Sequence, residues 1–292
     1  MNHEERICCF DCHGERLYGI LSLPAIAQTG ALPGVLMLVG GAQYRAGSHR
    51  QFALLARYFA DNGIAVLRFD YRGMGDSEGD ARNFEQIGDD IGCAIDAFMQ
   101  AVPQMSGVVL WGLCDGASAA LLYGATDARV SALSLVNPWA RTDAGLAQTY
   151  LKHYYASHLL SKALWSKILR GQFNPVAAAT SFATQLRRAF QRRHGNALQA
   201  APSLPDRLRL GYQEFTGPIQ LVLCGNDLTA QEFADLATAD RRWHVLLHDH
   251  RTERLELPLA NHTFSTQAWR DQLAAATLRW LQSLPQQHNL RH

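Results

Sequence analysis

Short apolar runs that alternate with helical patterns constrain the fold of this 292-residue chain more than any other feature. Gly34 to Val39 and Ile64 to Phe69 are apolar runs of strand length. The segment between them predicts a helix, because large apolar residues recur there at helical spacing and Ser48 and Gln51 fit a capping box. A strand, a helix and a second strand form the repeating unit of a mostly parallel sheet.

The alternation continues along the chain and indicates a single α/β core. An N-terminal hairpin is predicted between Arg6 and Leu23, and helices are predicted from Phe84 to Phe98 and from Trp269 to Leu284. Four later segments have the pattern of strands: 108–111, 133–136, 219–223 and 254–259. A hydrophobic fraction of 48% lets a chain of this length bury a large core. We therefore predict a three-layer α/β fold with helices on both faces of the sheet.

Residues 139–212 interrupt this alternation with helix-like sequence that carries no strand pattern. We interpret them as a helical cap inserted between two parts of the core, 1–138 and 213–292. The cap holds 11 Lys and Arg against 2 Asp and Glu, a net charge of +9, whereas the remainder holds 16 against 24 and carries −8. The formal net charge of +1 hides this polarity and gives no reason to expect a nucleic-acid partner.

The segment Gly112-Leu113-Cys114-Asp115-Gly116 lies directly after one predicted strand and directly before a helix of small residues. A nucleophile elbow has this form, with the nucleophile in a strained turn and a glycine two positions away on either side. The positive end of the following helix favours a thiolate, so cysteine is chemically competent where serine is commoner. The alternative is that Cys114 is a small buried residue at a strand end.

Backbone amides are expected to bind the acyl oxygen beside such a nucleophile. An elbow of this kind takes them from the residue after the nucleophile and from the loop after an earlier central strand. Here these donors are predicted to be the amides of Asp115 and of Ala42 or Gly41. The alternative for Gly40-Gly41 is an ordinary tight turn.

An acid and a histidine should follow the nucleophile in that order along the chain. Asp227 comes just after a predicted strand, and His262 lies in the loop between the last strand and the final helix. We predict that Asp227 orients His262 and that His262 is the base for the thiol. The alternative for Asp227 is a residue that only caps a turn or helix, with Asp249 or Asp235 as the acid.

Three other patterns do not support a metal or cofactor site. Cys9-Phe10-Asp11-Cys12-His13 matches the attachment signature of c-type haem, but haem attachment implies export and no signal-peptide pattern is present. His244, His248 and His250 fit no zinc motif, and Gly73 to Asp76 is no phosphate loop. We therefore expect no metal and no organic cofactor, and no disulfide among the six scattered cysteines.

Several longer segments carry a resemblance to a known family. Gly40 to Phe52 and Asp70 to Ser77 follow patterns common among α/β-hydrolases. More specific segments are Leu110 to Ser118, Asn137 to Trp139, Lys152 to Tyr155 and Gly225 to Ala230. On these residues most of the chain resembles the α/β-hydrolases, and more closely the exosortase A system-associated hydrolase type 1. Dienelactone hydrolases also place cysteine in the elbow, but their lactone-binding pattern is not found.

The resemblance implies an α/β-hydrolase fold with a helical cap, in a bacterial enzyme linked to exopolysaccharide and exosortase functions. It also implies that Tyr154 and Tyr155 of the cap contact the substrate, a small molecule or an acyl conjugate. The predicted activity is hydrolysis of an ester or thioester through an acyl-cysteine intermediate. Two alternatives remain open: acyl transfer by the same triad, and a binding module that keeps the fold without catalysis.

The environment of the protein is also predicted from the sequence. Four arginines cluster in the cap and favour an anionic substrate: Arg187, Arg188, Arg192 and Arg193. The alternative for this cluster is a solvated helix face, because charge runs on helices often only keep them soluble. No apolar run reaches the length of a transmembrane segment and no signal-peptide pattern is present, so we expect a cytoplasmic protein.

Overall fold

An eight-stranded sheet forms the centre of the computed structural model, which describes residues 2–25, 32–41, 43–140 and 202–285. The strands are β1 (His3–Cys12), β2 (Glu15–Pro24), β3 (Gly34–Leu38), β4 (Val66–Asp70), β5 (Val108–Leu113), β6 (Val130–Val136), β7 (Ile219–Asn226) and β8 (Thr252–Asn261). They lie in the order β1-β2-β4-β3-β5-β6-β7-β8. β1 and β2 form an antiparallel hairpin, β2 pairs antiparallel with β4, and the remaining neighbours are parallel.

Helices cover both faces of this sheet. They are α1 (Gln51–Asp61), α2 (Gly88–Ala101), α3 (Asp115–Gly124), α4 (Leu204–Glu214), α5 (Leu228–Ala239), α6 (Arg241–Leu247) and α7 (Gln267–Ser283). Side chains of β5 alternate between the faces: Val108 and Leu110 share a core with α2 and α3, whereas Val109 and Trp111 share one with α1 and α7. Burial on both faces explains the continuous apolar strands, and the three-layer prediction is confirmed.

The start of α1 differs from the prediction. Ser48 to Arg50 form a short 3-10 turn, and α1 begins at Gln51. Arg50 precedes the helix in a left-handed conformation, with φ 59°, and no side chain caps the first turn. The amide of Ser48 donates instead to the side chain of Gln43, at 3.0 Å. The capping-box interpretation is therefore wrong, because a contact with the preceding loop replaces the local cap.

Most of the predicted cap, 141–201, lies outside the described residues, so the division into 1–138, 139–212 and 213–292 stays a prediction. Near the C-terminal end of the predicted cap 139–212, α4 packs on α3. The contact is close, since a Cβ on Gly211 would lie 2.2 Å from the carbonyl oxygen of Leu121. α4 thus extends the helical layer of the core. Within the described ranges, no helix is long and apolar enough to cross a membrane.

A buried ion pair joins the loop after β4 to α2. Nε and Nη2 of Arg72 donate to the two carboxylate oxygens of Asp90, at 2.9 and 3.1 Å. The backbone amide of Arg72 donates to the same carboxylate at 2.9 Å. Both side chains are almost completely buried. The opposite charges of Arg72 and Asp90 therefore compensate each other in the interior, where either charge alone would be unfavourable.

Removal of one member of this pair is expected to destabilise the fold. Asp90→Ala leaves the buried guanidinium of Arg72 with only its longer contacts to Glu15, at 3.5 Å, and Asp89, at 3.7 Å, and should lower the free energy of unfolding by about 3–5 kcal/mol. The double variant Arg72→Met, Asp90→Ala removes both charges and should recover part of that loss. Urea denaturation followed by circular dichroism measures all three proteins. Equal free energies of unfolding for Asp90→Ala and wild type would contradict this account.

Candidate active site

Cys114 forms the sharp turn between β5 and α3. Its backbone adopts φ 62° and ψ −124°, a conformation that residues with a side chain rarely adopt. β5 ends at Leu113 and α3 begins at Asp115, so no other residue takes part in the turn. The side chain of Cys114 is 9% exposed, at the edge of the core. The turn therefore has the geometry of a nucleophile elbow.

Three glycines let the strands and the helix approach at this turn. A Cβ on Gly112 would lie 2.4 Å from the carbonyl carbon of Gly116, and one on Gly116 would lie 2.4 Å from the carbonyl oxygen of Leu38. A Cβ on Gly40, in the loop after β3, would lie 2.3 Å from the carbonyl oxygen of Leu113. These distances exclude any side chain, so β3, β5 and α3 meet backbone to backbone.

Hydrogen bonds to the segment after β6 hold the turn from the other side. The amide of Cys114 donates to the carbonyl of Val136 at 2.9 Å, and the amide of Trp139 donates to the carbonyl of Cys114 at 3.2 Å. The hydroxyl of Ser118 donates to the carbonyl of Trp139 at 2.6 Å. The strained residue is thus fixed through both of its own backbone groups.

Asp227 and His262 form a hydrogen-bonded pair. Oδ2 of Asp227 lies 2.7 Å from Nδ1 of His262, and Oδ1 accepts the amide of Thr229 at 2.9 Å. Asp227 follows β7 as the N-cap of α5, and His262 follows β8 directly. The carboxylate both caps a helix and binds the histidine, because its two oxygens serve different partners.

His262 also lies close enough to the nucleophile for the thiol of Cys114 to affect its pKa. The hydrogen bond with Asp227 raises the pKa of His262 most, and the interaction with Cys114 adds to it, so that the pKa reaches about 10 although burial lowers it. The imidazole therefore carries a proton at neutral pH. Since Nδ1 faces Asp227, Nε2 is the atom available to the thiol.

Two of the three predicted oxyanion donors lie at this site. Asp115 is the first residue of α3, and Gly41 lies in the loop after β3 with φ 63°. A Cβ on Gly40 would lie 2.3 Å from Oδ1 of Asp115, so the loop and the start of α3 are in contact. The third residue, Ala42, lies outside the described residues.

An ion-pair network fixes the chain that follows this loop. Asp70, fully buried at the end of β4, accepts the backbone amide of Arg45 at 2.6 Å and forms a salt bridge with its guanidinium. The same guanidinium bonds to Asp76 at 2.5 Å, and the hydroxyl of Ser77 donates to the carbonyl of Asp70 at 2.6 Å. The segment after the predicted oxyanion loop is therefore attached to β4.

The other predicted site residues are not brought to this centre. Tyr154, Tyr155 and the arginine cluster at 187–193 lie outside the described residues. Asp249 precedes β8, at the opposite end of the strand from His262, and accepts the amide of Arg251 at 3.0 Å. Among the residues that the structure describes, no group of three or more His, Cys, Asp or Glu could hold a metal ion.

Asn137 is a site residue that sequence reasoning did not identify. It is fully buried with φ 48°, and its side-chain oxygen accepts the amide of Cys224 at 2.9 Å. The backbone amide of Asn137 donates to the carbonyl of Val222 at 2.9 Å. Asn137 thereby ties the end of β6 to β7, the strand that leads to Asp227. The available signal was a polar residue directly after a predicted strand.

Comparison with known proteins gives one family and several similar folds. The family model described as Serine aminopeptidase, S33 (Hydrolase_4) matches residues 33–193. The polyketide transferase grgF of a Penicillium species is 34% identical over 88 residues, which are 29% of this chain and 30% of that protein. The chain thus matches less than a third of the length of this curated relative.

Two solved structures share the fold. The esterase Pf2001 of Pyrococcus furiosus superposes with a TM-score of 0.63 at 15% identity, over 97% of this chain and 93% of that one. The α/β-hydrolase GrgF of Penicillium gives a TM-score of 0.59 at 18% identity, over 96% and 98% of the two chains. The family model covers more than half of this chain. The chain therefore belongs to the α/β-hydrolase superfamily, in the family described as Serine aminopeptidase, S33.

Proposed function

We propose that this protein cleaves an ester or thioester through an acyl intermediate on Cys114. The observation that carries the proposal is the hydrogen bond from Asp227 to His262 together with the interaction of His262 with Cys114, a thiol at a strained turn. A nucleophile, a base and an orienting acid in this arrangement are what acyl-group chemistry requires. Membership of a hydrolase family and the esterase fold support the same reaction class.

In the first half of the reaction, Cys114 acts as a thiolate paired with protonated His262. The raised pKa of His262 places the proton on the imidazole before substrate binds. The sulfur attacks the acyl carbonyl carbon, and the C=O electron pair moves to the oxygen, which accepts the amides of Asp115 and of the loop at Gly41. When the bond to the leaving group breaks, the leaving group takes the proton from Nε2 of His262.

The same contacts serve the second half of the reaction. Once Cys114 is acylated, its sulfur no longer presents a negative charge to His262, so one contribution that raises the pKa of His262 is lost. The imidazole is then neutral for more of the time and can take a proton from the water that attacks the thioester carbonyl. The C–S bond then breaks, the acid leaves, and the sulfur returns to a thiolate beside the protonated imidazole. Asp227 holds Nδ1 throughout.

Acyl transfer is the second candidate function, because the curated relative is named a polyketide transferase. In a transferase an alcohol, amine or carbon acceptor attacks the acyl-cysteine in place of water. Product analysis with increasing concentrations of a small alcohol or amine separates the two reactions. A transfer product that grows at the expense of the free acid supports transfer, and an unchanged yield of acid supports hydrolysis.

The substrate class and the biological setting are further parts of the proposal. The net charge of +9 in residues 139–212 supports an anionic or phosphate-bearing acyl conjugate as substrate. The resemblance to exosortase A system-associated hydrolases supports a link to bacterial exopolysaccharide and protein sorting. If charge contributes to binding, then adding salt up to physiological strength should raise the KM for anionic substrates and leave the KM for matched neutral ones unchanged.

Substitution of Cys114 tests the nucleophile. Cys114→Ala should abolish turnover of an ester and thioester panel, yet keep stability within about 1–2 kcal/mol, because a small residue at a strand end contributes little packing. Cys114→Ser should be slower without being silent, since a hydroxyl is a weaker nucleophile that depends more on the histidine. Cys9→Ala, on the exposed face of β1, is the matched control.

The acyl intermediate itself can be observed. Mass spectrometry of enzyme quenched during turnover should show the acyl mass on the peptide that contains Cys114. The same peptide from Cys9→Ala should carry it, and the one from Cys114→Ala should not. An adduct on another residue, or full activity in Cys114→Ala, contradicts the proposal.

Asp227→Asn tests the origin of the raised pKa of His262. The protonated imidazole persists up to about pH 10, so activity that needs this proton is present below that pH and is lost as pH rises through it. Asparagine supplies no negative charge, so the falling limb should move to lower pH and turnover should drop by orders of magnitude. The measurement is kcat/KM from about pH 6 to about pH 11 with an alkyl ester, whose alcohol leaving group needs a proton.

Asp249→Asn is the control for this experiment, because Asp249 lies at the far end of β8. Its pH profile and turnover should match those of the wild type. The assignment of Asp227 is wrong if Asp227→Asn keeps both the wild-type turnover and the wild-type falling limb.

A further inference from the structure

The side chain of Asp115 lies in the site without a part in the steps above. Its carboxyl lies at the gap between α3 and the loop after β3, where the backbone amides of Gly41, Asp115 and Gly116 act to lower its pKa. Oδ1 is buried and has no hydrogen-bond partner of its own within the described part of the chain. A carboxyl group therefore spans the two segments that hold the predicted oxyanion donors.

Gly40 makes room for this carboxyl group. A Cβ on Gly40 would lie 2.3 Å from Oδ1 of Asp115 and 3.0 Å from the amide nitrogen of Gly116. Any side chain at position 40 would displace the carboxyl from the start of α3. The loop backbone and the carboxyl are thus in direct contact, and a movement of one requires a movement of the other.

The surroundings of this carboxyl have opposing effects on its pKa. Burial raises the pKa of Asp115 and outweighs the backbone amides and His262, which lower it. Tyr71, buried just after β4, has its own pKa raised by burial and by the negative charge of Asp115. Cys114 precedes Asp115 in the chain. A carboxylate here occupies the same helix N-terminus that favours a thiolate.

We propose that the Asp115 side chain is a positioning residue that holds the loop at Gly40-Gly41 against the start of α3, and so fixes the spacing between the two segments that carry the predicted oxyanion donors. This inference rests on the proposed acyl-cysteine function. The charge has a second effect, because a carboxylate at the helix N-terminus offsets its positive field. Ionisation of Cys114 then depends on the proton-accepting His262 more than on the helix.

Two variants separate the contact between the Asp115 side chain and the loop from the negative charge of that side chain. Asp115→Ala removes both, whereas Asp115→Asn keeps an acceptor oxygen of the same reach and removes only the charge. Hydrogen exchange of the peptide that contains Gly41, followed by mass spectrometry, should be faster in Asp115→Ala and close to wild type in Asp115→Asn. Should Asp115→Ala fail to fold, Asp115→Ser replaces it, because its shorter side chain cannot reach Gly41.

Kinetics give the second readout. Loss of a positioned oxyanion donor costs about 100- to 1000-fold in kcat, so a loosened loop should cost about 10- to 100-fold in Asp115→Ala with little change in KM. Asp115→Asn should lose clearly less. The pH of half-maximal alkylation of Cys114 by a small reagent should fall in both variants, because both remove the negative charge. A role in packing alone would not move this pH.

The outcomes are distinct. Wild-type exchange at Gly41 in Asp115→Ala, or an equal loss of kcat in both variants, overturns the positioning role. An unchanged alkylation profile in both variants overturns the effect of the charge. If wild-type enzyme forms no acyl adduct on Cys114, the proposed function fails instead, and the exchange experiment still decides whether Asp115 holds the loop.

Discussion

The backbone contact between β3, β5 and α3 is the constraint on which the site depends. It is possible only because Gly40, Gly112 and Gly116 lack side chains, and it forces Cys114 into φ 62°. A strained conformation of this kind costs about 1–3 kcal/mol and persists only where its surroundings fix it. Here they do, since the amide and the carbonyl of Cys114 are bonded to Val136 and Trp139. The thiol and the predicted oxyanion donors are therefore placed by one contact.

Strand register brings the acid and the histidine together. β7 and β8 are parallel neighbours, and Asn226 pairs with Asn261 at their ends. Asp227 directly follows Asn226, and His262 directly follows Asn261. Two side chains that are 35 positions apart in sequence therefore meet, with 2.7 Å between Oδ2 of Asp227 and Nδ1 of His262. Asn137 connects this edge to the nucleophile turn through the amide of Cys224. Asn137, Asp227 and His262 directly follow the carboxyl ends of parallel strands, where open α/β sheets place their sites.

Much of this arrangement could be predicted because its signals are local or follow chain order. The pair of glycines around Cys114 identifies a strained turn, and the order of acid and histidine identifies their roles. The bond between Arg45 and Asp70 could not be predicted, since neither residue carries a local pattern that indicates the other. Ser48 shows the reverse case: its local pattern fits a capping box, but a contact with Gln43 replaces the cap. Long-range polar contacts are the part that sequence patterns do not encode.

The family description names serine, yet this chain has a cysteine at the elbow. The charges around Cys114 are consistent with that difference. A serine nucleophile keeps its proton until a neutral histidine takes it during attack. Here Asp227 and then Cys114 raise the pKa of His262 to about 10, so the imidazole already holds a proton at neutral pH when the thiol beside it is ionised. A thiolate needs no such transfer and is a strong nucleophile by itself.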